Sequence, residues 1–440
     1  MSPHSAWYRA SMPEDHIPGG TASIVSWLHR QALEGADPGA ILEDLGARLL
    51  AGGLGLERAV VGFLVFHPQF DGINFAWDRH AGGAERHAVT RAHILRSSPS
   101  PFFHMQCTGT GELRYRLVGE GSAVPLPFPM LEQLRSRGVT DYLAFFQPFG
   151  GAADPRVWPE LPEGVVVRDG ITGSFSTARA GGFGKDGLAI LRTLVPPLAV
   201  AVKTAAAHEM AETVLGTYLG EASGRSVLRG QVRRGEGRVI HAVVWHSDLR
   251  GSTALAESVP LEAYLAALNA YYDCVIEAVA AEGGEVLKLI GDGVLAMFPF
   301  EAGGTGAAGA EACRRALAAA RDALARLAEV NARRSEAGTA ELRCGIALHA
   351  GDIMYGNVGS GRRLDFTVTG SAVNEVFRLE ALCKVLAVPL VVSEAVASLH
   401  PGRLRSLGRH TLPGVGRALE VFSLPGPTEG PDQHGFENEA

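Results

Sequence analysis

An alternation of strand and helix patterns in the second half of the chain is the feature that most restricts the fold. The stretch 241–248 is mostly apolar and suits a buried strand, and 261–279 places apolar residues at helical spacing. Two apolar runs then flank Gly-Asp-Gly at 291–293, which predicts a β-hairpin. An amphipathic helix through 313–327 and a strand through 342–348 complete the order βαββαβ.

The order βαββαβ is that of a ferredoxin-like α+β unit. The pattern continues with a second hairpin near 353–366, a helix through 372–385 and strands at 390–392 and 419–422. We therefore expect one α+β unit over residues 238–424.

The first region, for which we expect the bounds 22–206, also mixes helix and strand patterns. Its short apolar and aromatic runs alternate with stretches of helical periodicity. The predicted strands are 60–66, 73–77, 113–117, 142–149 and 171–177, and the predicted helices are 24–33, 40–50 and 130–137. This mixture predicts a second α+β domain.

A long helical pattern leaves the first region at residue 186 and runs toward residue 219. Pro196-Pro197 interrupts it, and we expect these prolines to bend or break the helix. Together with the arginine-rich stretch that follows, this segment predicts a helical connector and basic linker over 207–237. The arginines suit a solvated linker, which we favour, or an arm that binds RNA or lipid. Residues 425–440 are rich in Pro, Gly and acidic residues and predict a disordered tail.

Composition narrows the class of protein. The net charge of −7 argues against nucleic-acid binding, and we find no uninterrupted apolar run of about 18 residues that would predict a membrane span. The first twenty residues lack the pattern of a signal peptide, so we expect a cytoplasmic protein. Five widely spaced cysteines fit reduced core thiols better than disulfides or a zinc site.

Two aspartates lie where the predicted fold brings distant segments together. Asp248 ends the first strand and Asp292 occupies the hairpin tip. Taken by itself, Asp248 is explained by capping of the next helix, and Asp292 is explained by the turn in which it lies. In a βαββ sheet, however, these two positions are neighbours, so the carboxylates can hold two Mg²⁺ ions. The turn after Asp248 offers backbone N–H groups to phosphate oxygens, at Arg250, Gly251, Ser252 and Thr253.

Lysine is rare in this chain, because only four of the 40 basic residues are lysines. One of them, Lys288, lies in the apolar hairpin. A solvated edge lysine is the simplest interpretation. A compact ammonium can instead donate a directed hydrogen bond, for example to a ring nitrogen, where a guanidinium is too large.

Asn374 and Arg378 are four residues apart in a predicted helix and therefore share one face. Each suits an exposed polar position. If both point into a cleft, they suit a ribose oxygen and a phosphate that gains charge in a transition state.

Residues 241–424 resemble the catalytic domain of the class III adenylate/guanylate cyclases over nearly its whole length. The resemblance rests on the Lys-x-x-Gly-Asp-Gly hairpin at 288–293 and on the segment TGSAVNEVFRLEALCK at 369–384. It implies specific roles for six residues. Asp248 and Asp292 would bind two metal ions, Mg²⁺ or Mn²⁺. Lys288 and Thr367 would contact the purine, and Asn374 would orient the ribose. Arg378 would contact the α-phosphate in the transition state.

The resemblance also implies a homodimer with shared active sites, in which one subunit supplies the two aspartates and the other supplies the remaining four residues. Adenine presents an acceptor at N1 and a donor at its 6-amino group, which match a lysine donor and a threonine acceptor, whereas guanine presents the opposite pattern. We therefore predict an adenylate cyclase that converts ATP into 3′,5′-cyclic AMP and pyrophosphate. The alternatives are a guanylate cyclase and a catalytically silent, nucleotide-binding regulatory protein.

Two features depart from the family pattern. The family commonly has a lysine-containing loop near the last strands that holds the triphosphate, whereas this chain reads LPGVGRALEVF and offers only Arg417. Tyr355 and Asn357, in a glycine-containing stretch shared with the family, give no catalytic signal of their own.

The first region resembles a GAF-type sensory domain in the layout of its strands and in the long helix that closes it. This resemblance implies that a small-molecule or protein signal acts on the first region and regulates the second.

Overall fold

The computed structural model describes residues 20–96, 100–119, 125–149, 167–300, 306–400, 402, 404–414 and 416–425. The chain divides into two compact units, residues 1–214 and 215–440. Both units are of the α+β class that the sequence predicts. Apart from Pro425, the predicted disordered tail lies outside the described residues.

The first unit contains six strands and the helices around them. Its elements are α1 (Thr21–Glu34), α2 (Pro38–Ala51), β1 (Arg58–Leu64), β2 (Gly72–Asp78), β3 (Ala84–Val89), α3 (Arg91–Arg96), α4 (Pro101–Thr108), β4 (Glu112–Arg116), α5 (Pro129–Ser136), β5 (Asp141–Pro148), β6 (Gly170–Thr177) and α6 (Gly184–Leu219). The strands form one antiparallel sheet in the order β3-β2-β1-β6-β5-β4.

Helices cover both faces of this sheet, because alternate residues of each strand point to opposite sides. On one side α1, α2 and α6 bury a core that includes Trp27, Leu45 and Leu191. On the other side α4 and α5 pack through Met105 and Leu131. The predicted helices and strands of this region are all present.

Three elements of the first unit, β3, α3 and α4, were not predicted. β3 is an edge strand whose central residues are exposed and polar, so it carries no apolar alternation. α3 and α4 are six and eight residues long, which is too short for a helical period to show.

The helix α6 is continuous through both prolines, so of the two expected outcomes, a bent helix or a broken helix, the broken helix was wrong. Its apolar side, including Pro197, Leu198 and Val202, is buried, and this packing outweighs a cost of about 3 kcal/mol for an interior proline. Among the described residues α6 is also the one helix long and apolar enough to cross a membrane, by length and composition alone. Half of that apolar window is buried within the protein.

The second unit contains eight strands and six helices among the described residues. Its elements are α7 (Glu221–Leu228), β7 (Gly237–Leu249), α8 (Ser252–Ser258), α9 (Leu261–Ala281), β8 (Glu285–Ile290), β9 (Gly293–Phe300), α10 (Ala307–Glu336), β10 (Cys344–Ser360), β11 (Arg363–Thr369), α11 (Ser371–Val385), β12 (Leu390–Ser393), α12 (Glu394–Leu399), β13 (Arg405–Thr411) and β14 (Ala418–Ser423).

The sheet of the second unit has the order β13-β14-β12-β10-β7-β9-β8, with β11 paired to β10. The four strands of the predicted βαββαβ pattern therefore lie in the order fourth, first, third, second, which is the ferredoxin-like arrangement. α9 and α10 cover one face around Trp245, and α11 covers the other face around Val244.

Two details of the second unit differ from the predicted pattern. The strand predicted at 342–348 and the first arm of the hairpin near 353–366 are one continuous strand, β10. The short elements α8, α12 and β13 were not predicted.

Candidate active site

Asp248 and Asp292 meet at the end of the central strands. Asp248 is the second-last residue of β7, and the antiparallel register of β7 and β9 pairs it with Gly293, the residue after Asp292. The two carboxyl groups are within hydrogen-bonding reach of each other. Burial and then the charge of Asp292 raise the pKa of Asp248 to about 6. The two acidic side chains therefore form one site, as the predicted topology requires.

A histidine of β7 lies near this carboxylate pair. His246 is buried and lies against the Phe377 ring with 4.0 Å between the ring centroids. Burial lowers the pKa of His246 to about 4, so the ring is neutral at physiological pH. Its Nδ1 has no hydrogen-bond partner among the described residues. His246 thus adds no positive charge to offset the two carboxylates.

The donor set fits a hard divalent cation. Two carboxylates held together are ligands that Mg²⁺ takes, with water and phosphate oxygens completing its sphere. In the described part of the chain no group of three or more His, Cys, Asp or Glu residues forms a closed metal site. The remaining ligands must therefore come from backbone, solvent or substrate.

The backbone N–H group of Arg250 is not available to a phosphate, contrary to the prediction from the sequence. Its backbone N–H donates to the carbonyl oxygen of Arg343 at 2.7 Å. Its guanidinium lies 2.7 Å from the buried carboxylate of Glu380 and also donates to the Glu380 carbonyl oxygen. Burial raises the pKa of Glu380 to about 7 although Arg250 opposes this. Arg250 therefore holds α11 against β7, and only the N–H groups of its neighbours remain for an anion.

Gly251, Ser252 and Thr253 lie at the start of α8, a helix of seven residues. Gly251 has φ +72°, a left-handed conformation that glycine adopts without strain. Within the described ranges, no hydrogen bond takes up the N–H groups of these three residues. They are the part of the predicted phosphate turn that the structure leaves open.

Lys288 lies in a more exposed place than the apolar hairpin suggested. β8 is an edge strand of the sheet, and Leu289 and Ile290 beside Lys288 are exposed rather than packed around it. The ammonium group contacts the carboxylate of Asp365 on β11. Thr367 lies two residues beyond Asp365 on the same face of β11, so Lys288 and Thr367 are brought to one neighbourhood.

Asn374 and Arg378 lie on one face of α11, as predicted. Asn374 is exposed and Arg378 is half-buried. The guanidinium of Arg378 packs beside Gly414, in the loop before β14, and it forms no ion pair with a carboxylate of the described residues. Arg417, in the same loop, is exposed. Arg378 is thus a cation without a carboxylate partner in the part of the chain that the structure describes.

Within one chain the site residues form two groups. No hydrogen bond or ion pair of the described residues joins the pair Asp248–Asp292 to Lys288, Thr367, Asn374 or Arg378. Sequence reasoning missed Asp365 and Glu380. Two-residue alternation along β11 would have pointed to Asp365, whereas no local pattern links Glu380 to Arg250.

Comparison with known proteins supports the resemblance seen in the sequence. No protein-family model matches the chain. It is 31% identical to adenylate cyclase 1 of Rhizobium meliloti over 182 residues. The aligned stretch covers 41% of this chain and 27% of that protein. It is 33% identical to the adenylate cyclase of Anabaena cylindrica over 152 residues. The aligned stretch covers 34% of this chain and 28% of that protein. The second unit is a class III cyclase catalytic domain.

This chain spans little more than a quarter of the length of these two curated relatives. Among solved structures, it matches the adenylyl cyclase CyaB from P. aeruginosa with a TM-score of 0.37 and 24% identity, over 43% of this chain and 96% of that chain. It matches the guanylyl cyclase Cya2 with the same TM-score and identity, over 44% of this chain and 96% of that chain.

Proposed function

We propose that the chain is an adenylate cyclase that converts ATP into 3′,5′-cyclic AMP and pyrophosphate. The observation that carries the proposal is the convergence of Asp248 and Asp292, since paired carboxylates suit the divalent ions that phosphoryl transfer requires. The names of the two relatives, both adenylate cyclases, support the choice of nucleotide.

Asp248 and Asp292 would hold Mg²⁺ or Mn²⁺, two ions per site. When bound, these ions lower the pKa of the ribose 3′-hydroxyl and neutralise the phosphates. The 3′-hydroxyl gives its proton to water, and its oxygen forms a bond to the α-phosphorus while the bond from the α-phosphorus to the bridging oxygen breaks, so that pyrophosphate leaves. Arg378 stabilises the negative charge that develops on the α-phosphate oxygens, which agrees with its lack of a carboxylate partner among the described residues.

The other site residues bind and orient the nucleotide. Lys288 donates to adenine N1 and the Thr367 hydroxyl accepts from the 6-amino group. Asn374 orients the ribose from the same helical face as Arg378. The open N–H groups at the start of α8 contact phosphate oxygens.

A homodimer with shared active sites accounts for the two separate groups of residues within one chain. One subunit supplies the two aspartates, and the other supplies Lys288, Thr367, Asn374 and Arg378. Apolar side chains exposed near Lys288, on β8, β10 and β11, support a subunit interface there, namely Leu289, Ile290, Met354, Val358 and Leu364.

Product identity tests the proposal. The purified full chain is incubated with ATP or GTP and Mg²⁺ or Mn²⁺, and the nucleotides are separated by chromatography. We expect cyclic AMP from the wild type and none from Asp292→Ala. Cyclic GMP alone would instead indicate a guanylate cyclase, and nucleotide binding without product would indicate a silent regulatory protein.

Complementation tests the shared sites. Asp292→Ala and Arg378→Ala remove residues from different halves of each site, so each homodimer is inactive. Random pairing of the two variants on co-expression gives heterodimers with one intact site each, and about one quarter of wild-type activity should return. Activity in a monomer, or no recovery in co-purified heterodimers, would contradict the division of residues between subunits.

The first unit serves as a GAF-like sensory domain in this proposal, with the bounds 22–206, followed by the connector at 207–237 and the cyclase domain at 238–424. A cavity of about 420 Å³ in the first unit, lined by Phe63, Phe103 and Met130 together with Asn74 and Gln106, would hold a small-molecule signal. We place the protein in the cytoplasm. Loss of the first unit should change the rate of cyclisation or its response to the signal.

A further inference from the structure

The cavity of the first unit has a wall that is mostly apolar and aromatic. Its volume is about 420 Å³, and strands of the sheet line it together with α3, α4 and α5. Phe63, Phe102, Phe103 and Met130 belong to this wall. Aromatic side chains pack favourably against the faces and edges of other rings. The cavity therefore has the size and the lining for a ligand built on flat rings.

The wall of this cavity carries little charge. The structure brings no Asp, Glu, Lys or Arg to it from the described residues, and His93, which does line it, is exposed. Arg58 lines an adjoining cavity that shares Asn74 and His93, but it lies 3.7 Å from the carboxylate of Asp78. Because an ion buried without a partner of opposite charge is costly, the first cavity suits an uncharged ligand.

Gln106 is a buried polar group of this wall that lacks a partner. Ser100 caps α4 by accepting from the N–H of Phe103 at 3.1 Å, and the Thr172 hydroxyl donates to the carbonyl oxygen of Gly62 at 3.3 Å. Gln106 is only 6% exposed, and within the described ranges no hydrogen bond involves its side-chain amide. A buried amide of this kind costs free energy that a hydrogen-bonding ligand would recover.

Asn74 brings a second side-chain amide to the same cavity, from β2. It is paired in register with Gly62 of β1, where a Cβ would overlap the Asn74 Oδ1. The glycine therefore leaves room for the amide. Each carboxamide offers N–H donors and a C=O acceptor, so Asn74 and Gln106 together complement a ligand that carries both an N–H and a C=O.

We propose that this cavity binds an uncharged aromatic ligand whose N–H and C=O groups, as in a lactam, pair with the side-chain amides of Gln106 and Asn74. The inference rests on the proposed function in one respect only, namely that binding changes the rate of cyclisation. It adds the chemical class of the signal and the two residues that select it. Nucleotides and other anions are excluded as ligands of this cavity.

Titration calorimetry of the full chain, without nucleotide or metal, tests the ligand class. The probe is quinolin-2-one, an uncharged two-ring lactam. Quinoline lacks the N–H and C=O pair, and quinoline-2-carboxylate carries a charge on the same rings. We expect quinolin-2-one to bind about tenfold more tightly than quinoline, because its polar groups find partners. Quinoline-2-carboxylate and cyclic AMP should not bind to the cavity.

Gln106→Leu keeps the size of the side chain and removes its polar group. The Kd of quinolin-2-one should rise about tenfold while that of quinoline stays the same, a difference that a general loss of structure would not produce. Asn74→Leu repeats this test from the sheet side of the cavity. Gln133→Leu is the matched control, because Gln133 is exposed on α5 and does not line the cavity.

Filling the cavity shows where the probes bind. Val89→Trp adds bulk to the wall and should abolish binding of both quinoline and quinolin-2-one, whereas Val118→Trp, at an exposed valine that does not line the cavity, should not. The inference is overturned if quinolin-2-one binds no better than quinoline or the carboxylate. It is also overturned if Gln106→Leu and Asn74→Leu bind the probe as Gln133→Leu does.

The rate of cyclic AMP formation is measured separately, with and without quinolin-2-one. A wild type that binds the probe but forms no cyclic product contradicts the proposed function and leaves the ligand site established. A rate that stays the same at saturating probe contradicts the sensory role of the first unit.

Discussion

Replacing Asp292 by Asn tests the meeting of the two aspartates without relying on turnover. In the absence of metal, burial and the neighbouring Asp292 raise the pKa of Asp248 from 3.8 to about 6. Because the pKa of the folded state is raised, the stability that Asp248 contributes is present below pH 3.8 and is lost as the pH rises through about 6. Asp292→Asn removes one cause of this loss.

The size of the effect follows from the shift. A pKa change from 3.8 to about 6 corresponds to about 3 kcal/mol between the two protonation states. Since burial is its largest cause and solvent screens part of the charge, we assign about 1 kcal/mol to Asp292. Metal-free Asp292→Asn should therefore be more stable than the wild type by about 1 kcal/mol near pH 8, or about 2–4 °C in the unfolding midpoint of a unit of this size, and not near pH 4.

Scanning calorimetry of the full chain in EDTA at both pH values measures this difference. Asp273→Asn, which neutralises an exposed carboxylate on α9, is the matched control. Added Mn²⁺ should raise the midpoint of the wild type and of the control but not that of Asp292→Asn. If Asp292→Asn behaves like Asp273→Asn in both experiments, the two carboxylates do not share a site and the metal assignment is wrong.

Three further changes probe the framework around the site. Ser247→Ala should lower the free energy of unfolding by about 2 kcal/mol in urea titrations, because buried Trp245 Nε1 and Tyr271 Oη both donate to the Ser247 hydroxyl. The raised pKa of Glu380 means that the free energy of unfolding of the wild type falls by about 2 kcal/mol between about pH 5 and 8, as the carboxyl ionises. Glu380→Gln cannot ionise and should not show this decrease. Gly284→Ala should lower the melting temperature and the soluble yield, because a Cβ there would lie 2.7 Å from core side chains.

Periodic patterns predicted the parts of the fold that have one buried side. The order βαββαβ follows from β7, the β8–β9 hairpin and β10, whose apolar runs are bounded by glycines. Elements without a strong apolar pattern, such as the polar edge strand β3, were not predicted. The prolines of α6 do not end the helix, because burial of the helix face overrides the local cost of a proline.

Topology also predicted the pairing of the aspartates, because a strand end and a neighbouring hairpin tip must meet. Contacts between side chains from non-adjacent strands could not be predicted in this way. The partner of Lys288 lies on β11 and that of Arg250 on α11, and neither pairing follows from the order of the strands. The apolar surroundings expected for Lys288 were wrong for a related reason, since a hairpin at a sheet edge exposes one side of its apolar run.

Tyr355 and Asn357, which carry no catalytic signal in the sequence, connect the segment before β7 to the strand that carries Lys288. The Tyr355 hydroxyl donates to Glu285 at the start of β8 and lies 3.1 Å from the hydroxyl of Ser223 on α7. Asn357 donates through its side-chain amide to the carbonyl oxygen of Gln231. The arginine side chains of this segment are exposed, as in a solvated linker, but its backbone is bonded to β10. The segment before β7 is therefore part of the framework that positions the β8–β9 hairpin, and with it Asp292.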